Sequence, residues 1–167
     1  MDIRRREPDD LGACVRALAE VHRAAGYPVD WPGQPAGWLS PPALLDSWVA
    51  ERDGRIAGHI GLCRSEPGDA APGLWSLRTG MPVEGVAVIS RLFVPPAERG
   101  HGTGALLMAR AVGAARERAL HPVLDVVASD TAAAALYERL GWSLLETVEQ
   151  RWGPNRVVAV RCYAAPR

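Results

Sequence analysis

The sequence predicts a mixed α+β fold, one sheet with helices on both faces, and three observations carry that expectation. Two strand-to-helix passages, after Val94 and after Val127, supply parallel units. Two apolar runs joined by Asp53-Gly54 supply a hairpin, and two closing strand patterns follow the last helix. No internal repeat and no linker breaks the 167 residues, a length suited to one buried core, so residues 1–167 are expected to form a single domain.

Pro8, Asp9 and Asp10 mark a helix start, and Leu11, Cys14, Val15, Leu18, Val21 and His22 continue on one helical face. The stretch from Gly26 to Asp46 holds five prolines with Tyr27, Trp31 and Trp38, and Ser40-Pro41 reads as the N-cap and first position of a short second helix. Trp48 to Glu51 and Arg55 to Leu62 flank Asp53-Gly54, a pair suited to the left-handed conformations of a type I′ turn. Residues Ser65 to Glu84, rich in Pro, Gly, Asp and Ser, read as a long loop. Val86 to Val94 is apolar except at Ser90 and Arg91, as a strand covered on both faces should be. A helix follows from about Gly102, carried by Leu107, Met108, Ala111, Val112 and Ala115. Val123 to Val127 is a strand, Asp130 to Leu140 a helix closed by Gly141, and Ser143 to Thr147 and Arg156 to Tyr163 are closing strands.

Composition removes several function classes. Nineteen basic residues balance nineteen acidic ones, so no net field draws nucleic acid or an anionic membrane. Every basic residue is arginine, which excludes a lysine-dependent phosphate loop, a Schiff base and a pyridoxal-phosphate anchor. No stretch reaches the roughly 18–20 apolar residues of a membrane span and no signal peptide is visible, so a soluble, cytoplasmic protein is expected. Cys14, Cys63 and Cys162 are odd in number and far apart, as reduced core thiols are, and no metal-ligand spacing occurs.

The segment Arg99-Gly100-His101-Gly102-Thr103-Gly104 lies between the strand ending at Val94 and the next helix. Main-chain donors at such a helix N-terminus are unpaired and bind anions, and glycine lets phosphate oxygens approach without a Cβ in the way. Gly100 to Ala105 also satisfies the glycine fingerprint of dinucleotide folds, with Asp125 about twenty residues on. Against that reading, Pro95 to Arg99 intervene after the strand, and only about forty residues follow Asp125, too few for the rest of such a fold.

Arg99 to Gly104 resembles the R/Q-x-x-G-x-G/A motif of the GNAT superfamily of N-acetyltransferases, and a second block agrees. Asp130-Thr-Ala-Ala-Ala-Ala-Leu-Tyr137-Glu-Arg-Leu-Gly141-Trp142 is similar to the family's N-x-x-A-x-x-L-Y-x-x-x-G-[FW] segment. The resemblance covers nearly the whole chain, from Asp2 to Tyr163. It implies a three-layer fold with a mixed sheet of about six to seven strands whose central parallel strands splay, and acetyl-CoA as cosubstrate without a metal. It gives the diphosphate to Arg99, Gly100, His101, Gly102, Thr103 and Gly104, and the pantetheine arm to the main chain of Leu92, Phe93 and Val94. Tyr137 matches the tyrosine that meets the departing CoA sulfur. Asp130 stands where many members have Asn and reads first as a helix cap, with a polar contact to the cofactor as the other role. Asp125 reads as a structural hydrogen-bond acceptor.

The family's usual basic glutamate aligns with Val88, so the base is left to Glu84, Ser90 or His59, or to water. The expected reaction is acetyl transfer to a primary amine of a small molecule or peptide by direct attack in a ternary complex. The departure at Val88 keeps a second reading, a catalytically weak acyl-CoA-binding or sensing module; an O-acyl acceptor or a longer acyl chain is a lesser variant. Tyr27, Trp31, Trp38 and Trp75 supply aromatic surface for an acceptor pocket or for covering a cation, and Asp30, Asp69 and Glu84 supply negative charge. Family members often form homodimers, and no exposed apolar stripe in the sequence shows where.

Overall fold

The computed structural model describes all residues, Met1–Arg167, and divides into two compact units. The first comprises Met1–Cys63 with Ser90–Gly113, the second Arg64–Ile89 with Ala114–Arg167. The strands form a seven-stranded sheet of order β1-β2-β3-β4-β5-β7-β6, flanked by helices and mixed because the β4–β5 pair is parallel.

In the first unit, β1 (Asp2–Arg5) pairs antiparallel with β2 (Leu44–Arg52), and β2 with β3 (Arg55–Arg64). The turn residues Asp53 and Gly54 have φ of 52° and 74°, the left-handed pair that the Asp-Gly sequence favours. The sequence alone does not reveal β1, whose four residues are mostly charged; its place is secured from outside, because the Arg4 guanidinium binds Asp10 at 2.8 Å and Glu51 at 2.7 Å.

Helix α1 (Leu11–Ala25) follows a short 3-10 turn, Pro8–Asp10, whose Asp10 carboxylate accepts the Glu7 amide at 2.7 Å. It ends at Gly26, where φ is 70° and a Cβ would be strained. Cys14, Leu18 and Val21, which helical periodicity selects, bury together with Ala17 against Leu39, Val49 and Phe93. The second helix is not where Ser40-Pro41 suggested. Helix α2 lies earlier in the chain, Pro35–Trp38, with Pro35 at its start, while Leu44 already opens β2. The Ser40 hydroxyl accepts a hydrogen bond from Arg6 at 2.6 Å instead of capping a helix.

In the second unit, the expected loop Ser65–Glu84 contains helix α3 (Ala71–Thr79). Its punctuation was present, with Pro72 in the first turn and Gly80 at φ 74° after the last. The missing signal was the cap: no local side chain supplies it, and Asp125, remote in sequence, accepts the amides of Ala70 at 2.8 Å and Ala71 at 2.9 Å. Strand β4 (Val86–Phe93) begins in this unit and pairs with β5 (His121–Val127) only over Val86–Val88 and His121–Val123. Strands β6 (Ser143–Arg151) and β7 (Val157–Ala164) pair antiparallel, and β7 borders β5. Helix α5 (Thr131–Arg139) lies between β5 and β6 in sequence.

Helix α4 (Thr103–Glu117) starts in the first unit, where the turn Pro96–Glu98 and the glycine loop lead into it. All three cysteines are buried and none forms a disulfide, and burial pushes the Cys14 thiol up to about 11 and the Cys162 thiol to about 12, which keeps both protonated. No helix is long and apolar enough to cross a membrane.

Candidate acyl-donor and acceptor site

The glycine loop begins where strand β4 ends at Phe93. Its first amides are satisfied locally, Glu98 N donating to Pro95 O at 2.9 Å and Arg99 N to Pro96 O at 3.3 Å. Helical pairing resumes with Leu106 N donating to Gly102 O at 3.1 Å. Between them the amides of Gly100, His101, Gly102, Thr103, Gly104 and Ala105 meet no acceptor in the protein. Gly100 and Gly102 adopt φ of 84° and 73°, a conformation that a side chain would strain, and nothing lies within 4 Å of a Cβ built on either. A run of unpaired donors at a helix N-terminus fits an anionic oxygen-rich group such as a diphosphate, and the aligned dipoles add to the attraction.

Two devices hold this loop in place. Gly58 on β3 lets the helix start approach closely: a Cβ there would lie 2.8 Å from Leu107 Cδ1, 3.0 Å from Thr103 Cγ2 and 3.3 Å from Phe93 O. Glu98, 5 % exposed, lies 2.8 Å from Arg52 Nε in an ion pair without hydrogen-bond alignment, and Arg55 stands 3.9 Å away. The sequence carries no local sign of this role for Glu98; only the hairpin arginines, remote in sequence, make it a fixed anchor. Arg99 itself is exposed, and its Nε donates to the carbonyl of Val94 at 3.3 Å, so one main-chain group of the segment Leu92–Val94 is already engaged.

Strand β4 is irregular just ahead of that segment. Arg91 has φ 53°, a left-handed residue inside a strand, which costs about 1–2 kcal/mol for a residue with a side chain. Neighbours hold it there. His59 meets the Arg91 carbonyl through Nδ1 at 2.8 Å, and the Arg91 guanidinium lies 4.4 Å above the Trp38 ring, with Nε donating to Trp38 O at 3.2 Å. The cation that Trp38 covers is therefore the protein's own.

His59 is fully buried and stacked on Phe93 at 5.1 Å. With Nδ1–H donating to Arg91 O, its Nε2 accepts from Arg6 Nη1 at 2.9 Å, so both ring nitrogens are occupied. Burial is the main cause that pushes its pKa down to about 4, with Arg6 and Arg91 adding to the effect. Ser90 is half-buried, its hydroxyl 3.3 Å from Cys63 Sγ.

In the second unit, Glu84 is exposed in the 3-10 turn Val83–Gly85, two residues before β4. Val88 is 6 % exposed and paired with Val123. Tyr137 is 6 % exposed on α5, its ring near Trp142 at 6.2 Å and Tyr163 at 5.9 Å. Asp130 caps that helix, its Oδ1 accepting the Ala133 amide at 3.1 Å. Asp125 is committed to the start of α3. Trp75 is stacked on His121 at 4.0 Å and is 8 % exposed.

Several solved structures share this fold. The ribosomal-protein-alanine N-acetyltransferase of Brucella melitensis matches with TM-score 0.72 at 22 % identity, covering 98 % of both chains. An N-acetyltransferase of Staphylococcus aureus Mu50 matches with TM-score 0.75 at 16 % identity, covering 98 % of this chain and 96 % of its own. The structure of yncA from Salmonella typhimurium with its cofactor acetyl-CoA matches with TM-score 0.69 at 20 % identity, covering 98 % and 92 %. No curated protein matches the sequence at a significant level. A sequence model described as the acetyltransferase (GNAT) family matches residues 14–142, most of the chain and both motif blocks. Because this match spans most of the chain, the chain belongs to the acetyltransferase (GNAT) family, whose reaction is acyl transfer from acetyl-CoA.

Proposed function

We propose that this protein transfers an acetyl group from acetyl-CoA to a primary amine of a small molecule or peptide, by direct attack in a ternary complex. The observation that carries this reading is the run of six amides, Gly100 to Ala105, without an acceptor in the protein. Thr103 is buried and Gly104 and Ala105 half-buried, while Gly100, His101 and Gly102 are exposed and open to an entering ligand; a diphosphate bound there would gain roughly a few kcal/mol from charge-assisted hydrogen bonds. The cosubstrate supplies an activated acyl thioester. The rest is the work of the chain's own groups.

Main-chain groups of Leu92 and Phe93, with the Val94 amide, would pair with the pantetheine arm as an added strand, and one amide would polarise the acyl carbonyl. Tyr137 would donate its hydroxyl to the sulfur as the bond breaks. A phenol near pKa 10 donating to a thiolate near 8.5 is uphill by about 2 kcal/mol in water, so hydrogen-bond stabilisation matters as much as complete proton transfer.

The amine must arrive neutral. Neutralising an amine of pKa near 10.4 at pH 7 costs about 4–5 kcal/mol, whereas an α-amino group near 8 costs about 1–1.5 kcal/mol. His59, with both nitrogens occupied, has no lone pair to offer, and Val88 has no titratable group. Ser90, Glu84 or water alone is then left to take the proton, and the enzyme favours weakly basic amines. Val88 also favours the second reading, a binding or sensing module.

Release of CoA with a panel of amines of graded pKa tests both readings. Turnover that rises as amine pKa falls toward 8 supports the proposal. Tight acetyl-CoA binding with no turnover on any amine supports the sensing module.

A further inference from the structure

Beside the left-handed turn of β4, the first unit holds two arginines that no carboxylate contacts directly, although Asp10 acts on Arg6 from farther away. Neither Arg6 nor Arg91 takes part in a salt bridge, although this chain pairs its arginines elsewhere, as at Arg4, Arg5 and Arg52. Arg6 is half-buried and spends its guanidinium on Leu39 O at 2.8 Å, Ser40 Oγ at 2.6 Å and His59 Nε2. Arg91 is different. It uses only Nε, on Trp38 O, while both terminal nitrogens meet no acceptor in the protein. Its plane is fixed by the Trp38 ring beneath it, so little side-chain freedom remains to be lost on binding.

A half-buried, stacked guanidinium with its outer edge unused matches the two oxygens of a carboxylate, or of a phosphate, in a bidentate contact. His59 cannot weaken the field by losing a proton, since it is already neutral between the two cations. Arg91 also directly precedes Leu92, the residue whose main chain is assigned above to the pantetheine arm. We propose that the Arg91 edge, supported by Trp38 and by the Arg6 charge, binds an oxyanion carried by the acceptor itself, so that the substrate class is a small amine that also bears a carboxylate or phosphate. This rests on the acetyltransferase reading.

An α-amino acid meets both demands, because its ammonium group is acidic enough to shed a proton without a strong base and its carboxylate is adjacent. The aromatic loop around Tyr27 and Trp38 then serves to position the guanidinium and not to cage a cationic acceptor.

The test compares matched acceptors on the wild-type enzyme and on Arg91→Gln and Arg91→Lys: α-amino acids, their amides, their decarboxylated amines, and aminoalkyl phosphonates. The expected result is that kcat/KM for the amino acid exceeds that for its amide by about 10–100-fold. Arg91→Gln removes that preference and Arg91→Lys restores part of it, with KM for acetyl-CoA unchanged within about twofold in both. Activity with phosphonates but not carboxylates assigns the oxyanion as phosphate-like and sustains the proposal. A uniform loss over all acceptors, or equal use of acid and amide by the wild type, overturns it.

Both substitutions remove contacts to Trp38 that help hold the left-handed residue, so thermal midpoints establish that each variant is folded, and the acid-over-amide ratio, read within each folded variant, decides the proposal. If no amine releases CoA, the acetyltransferase reading fails separately. The proposal is then decided by the thermal midpoint of the CoA-saturated protein with millimolar amino acid, which must rise in the wild type and not in Arg91→Gln.

Discussion

A histidine in the interior of a strand pattern carries no label saying whether it is base, ligand or packing. At position 59 the neighbours decide: two cationic side chains, a carbonyl and a phenyl ring leave it neutral with pKa about 4. The folded value lies below the ordinary value near 6.5, so this group favours the folded state fully above about pH 6.5 and loses that contribution as pH falls toward 4. The increment is about 3 kcal/mol. Urea unfolding at pH 7.5 and pH 4.5 should therefore show a larger loss of stability in the wild type than in a His59→Gln variant; equal losses would mean the imidazole is already accessible to protons. Tyr137 presents the opposite case, a residue whose motif was legible and whose role is a proposal. Replacing it with Phe should lower kcat about 10–100-fold with KM for acetyl-CoA nearly unchanged, while identical turnover would leave the ring as packing between Trp142 and Tyr163.

Among the elements, helices α3 and α4 show two ways in which an N-terminus is used. That of α3 is filled by the Asp125 carboxylate, so Asp125→Ala should cost about 1–2 kcal/mol and lower Tm by roughly 2–8 °C, with KM for acetyl-CoA unaffected. Calorimetry with steady-state kinetics separates this from a catalytic role, which would lower kcat at constant Tm. The α4 end is left open. Gly102→Val forces a branched side chain into φ 73° and into the donor run, and should raise KM for acetyl-CoA at least about tenfold. A KM within twofold of wild type would mean that the loop does not hold the diphosphate. The same contrast explains which elements the sequence disclosed. The Asp53-Gly54 hairpin and α1 are local devices, with turn residues and apolar period contained in one segment. Helix α3 and strand β1 were missed because their stabilising partners, Asp125 for one and Glu51 with Asp10 for the other, lie elsewhere in the chain.

For the whole molecule, a ligand that binds only the folded state must raise its stability. At a concentration one hundred times Kd, acetyl-CoA should add about 2.7 kcal/mol, which for a chain of this length raises Tm by roughly 5–10 °C. Differential scanning fluorimetry checks this, and Arg99→Ala should reduce the gain; no shift at any concentration would remove the basis for the acyl-donor assignment. The amino-acid sequence by itself determined the class of fold, most of the element order and the glycine loop, because hydrophobic period, turn residues and a six-residue motif are properties of contiguous chain. It also presented Arg91, a lone cation in an apolar strand, without its meaning. Only the tertiary structure decided that the amides of residues 100–105 stay unpaired, that Glu98 is an ion-paired anchor, that His59 is fully engaged and that Arg91 rides on Trp38 with its fork unused. The physical reason is common to all four. Each depends on whether a polar group finds its partner, and the partners here come from strands and loops that are distant in sequence and meet only when the sheet has formed.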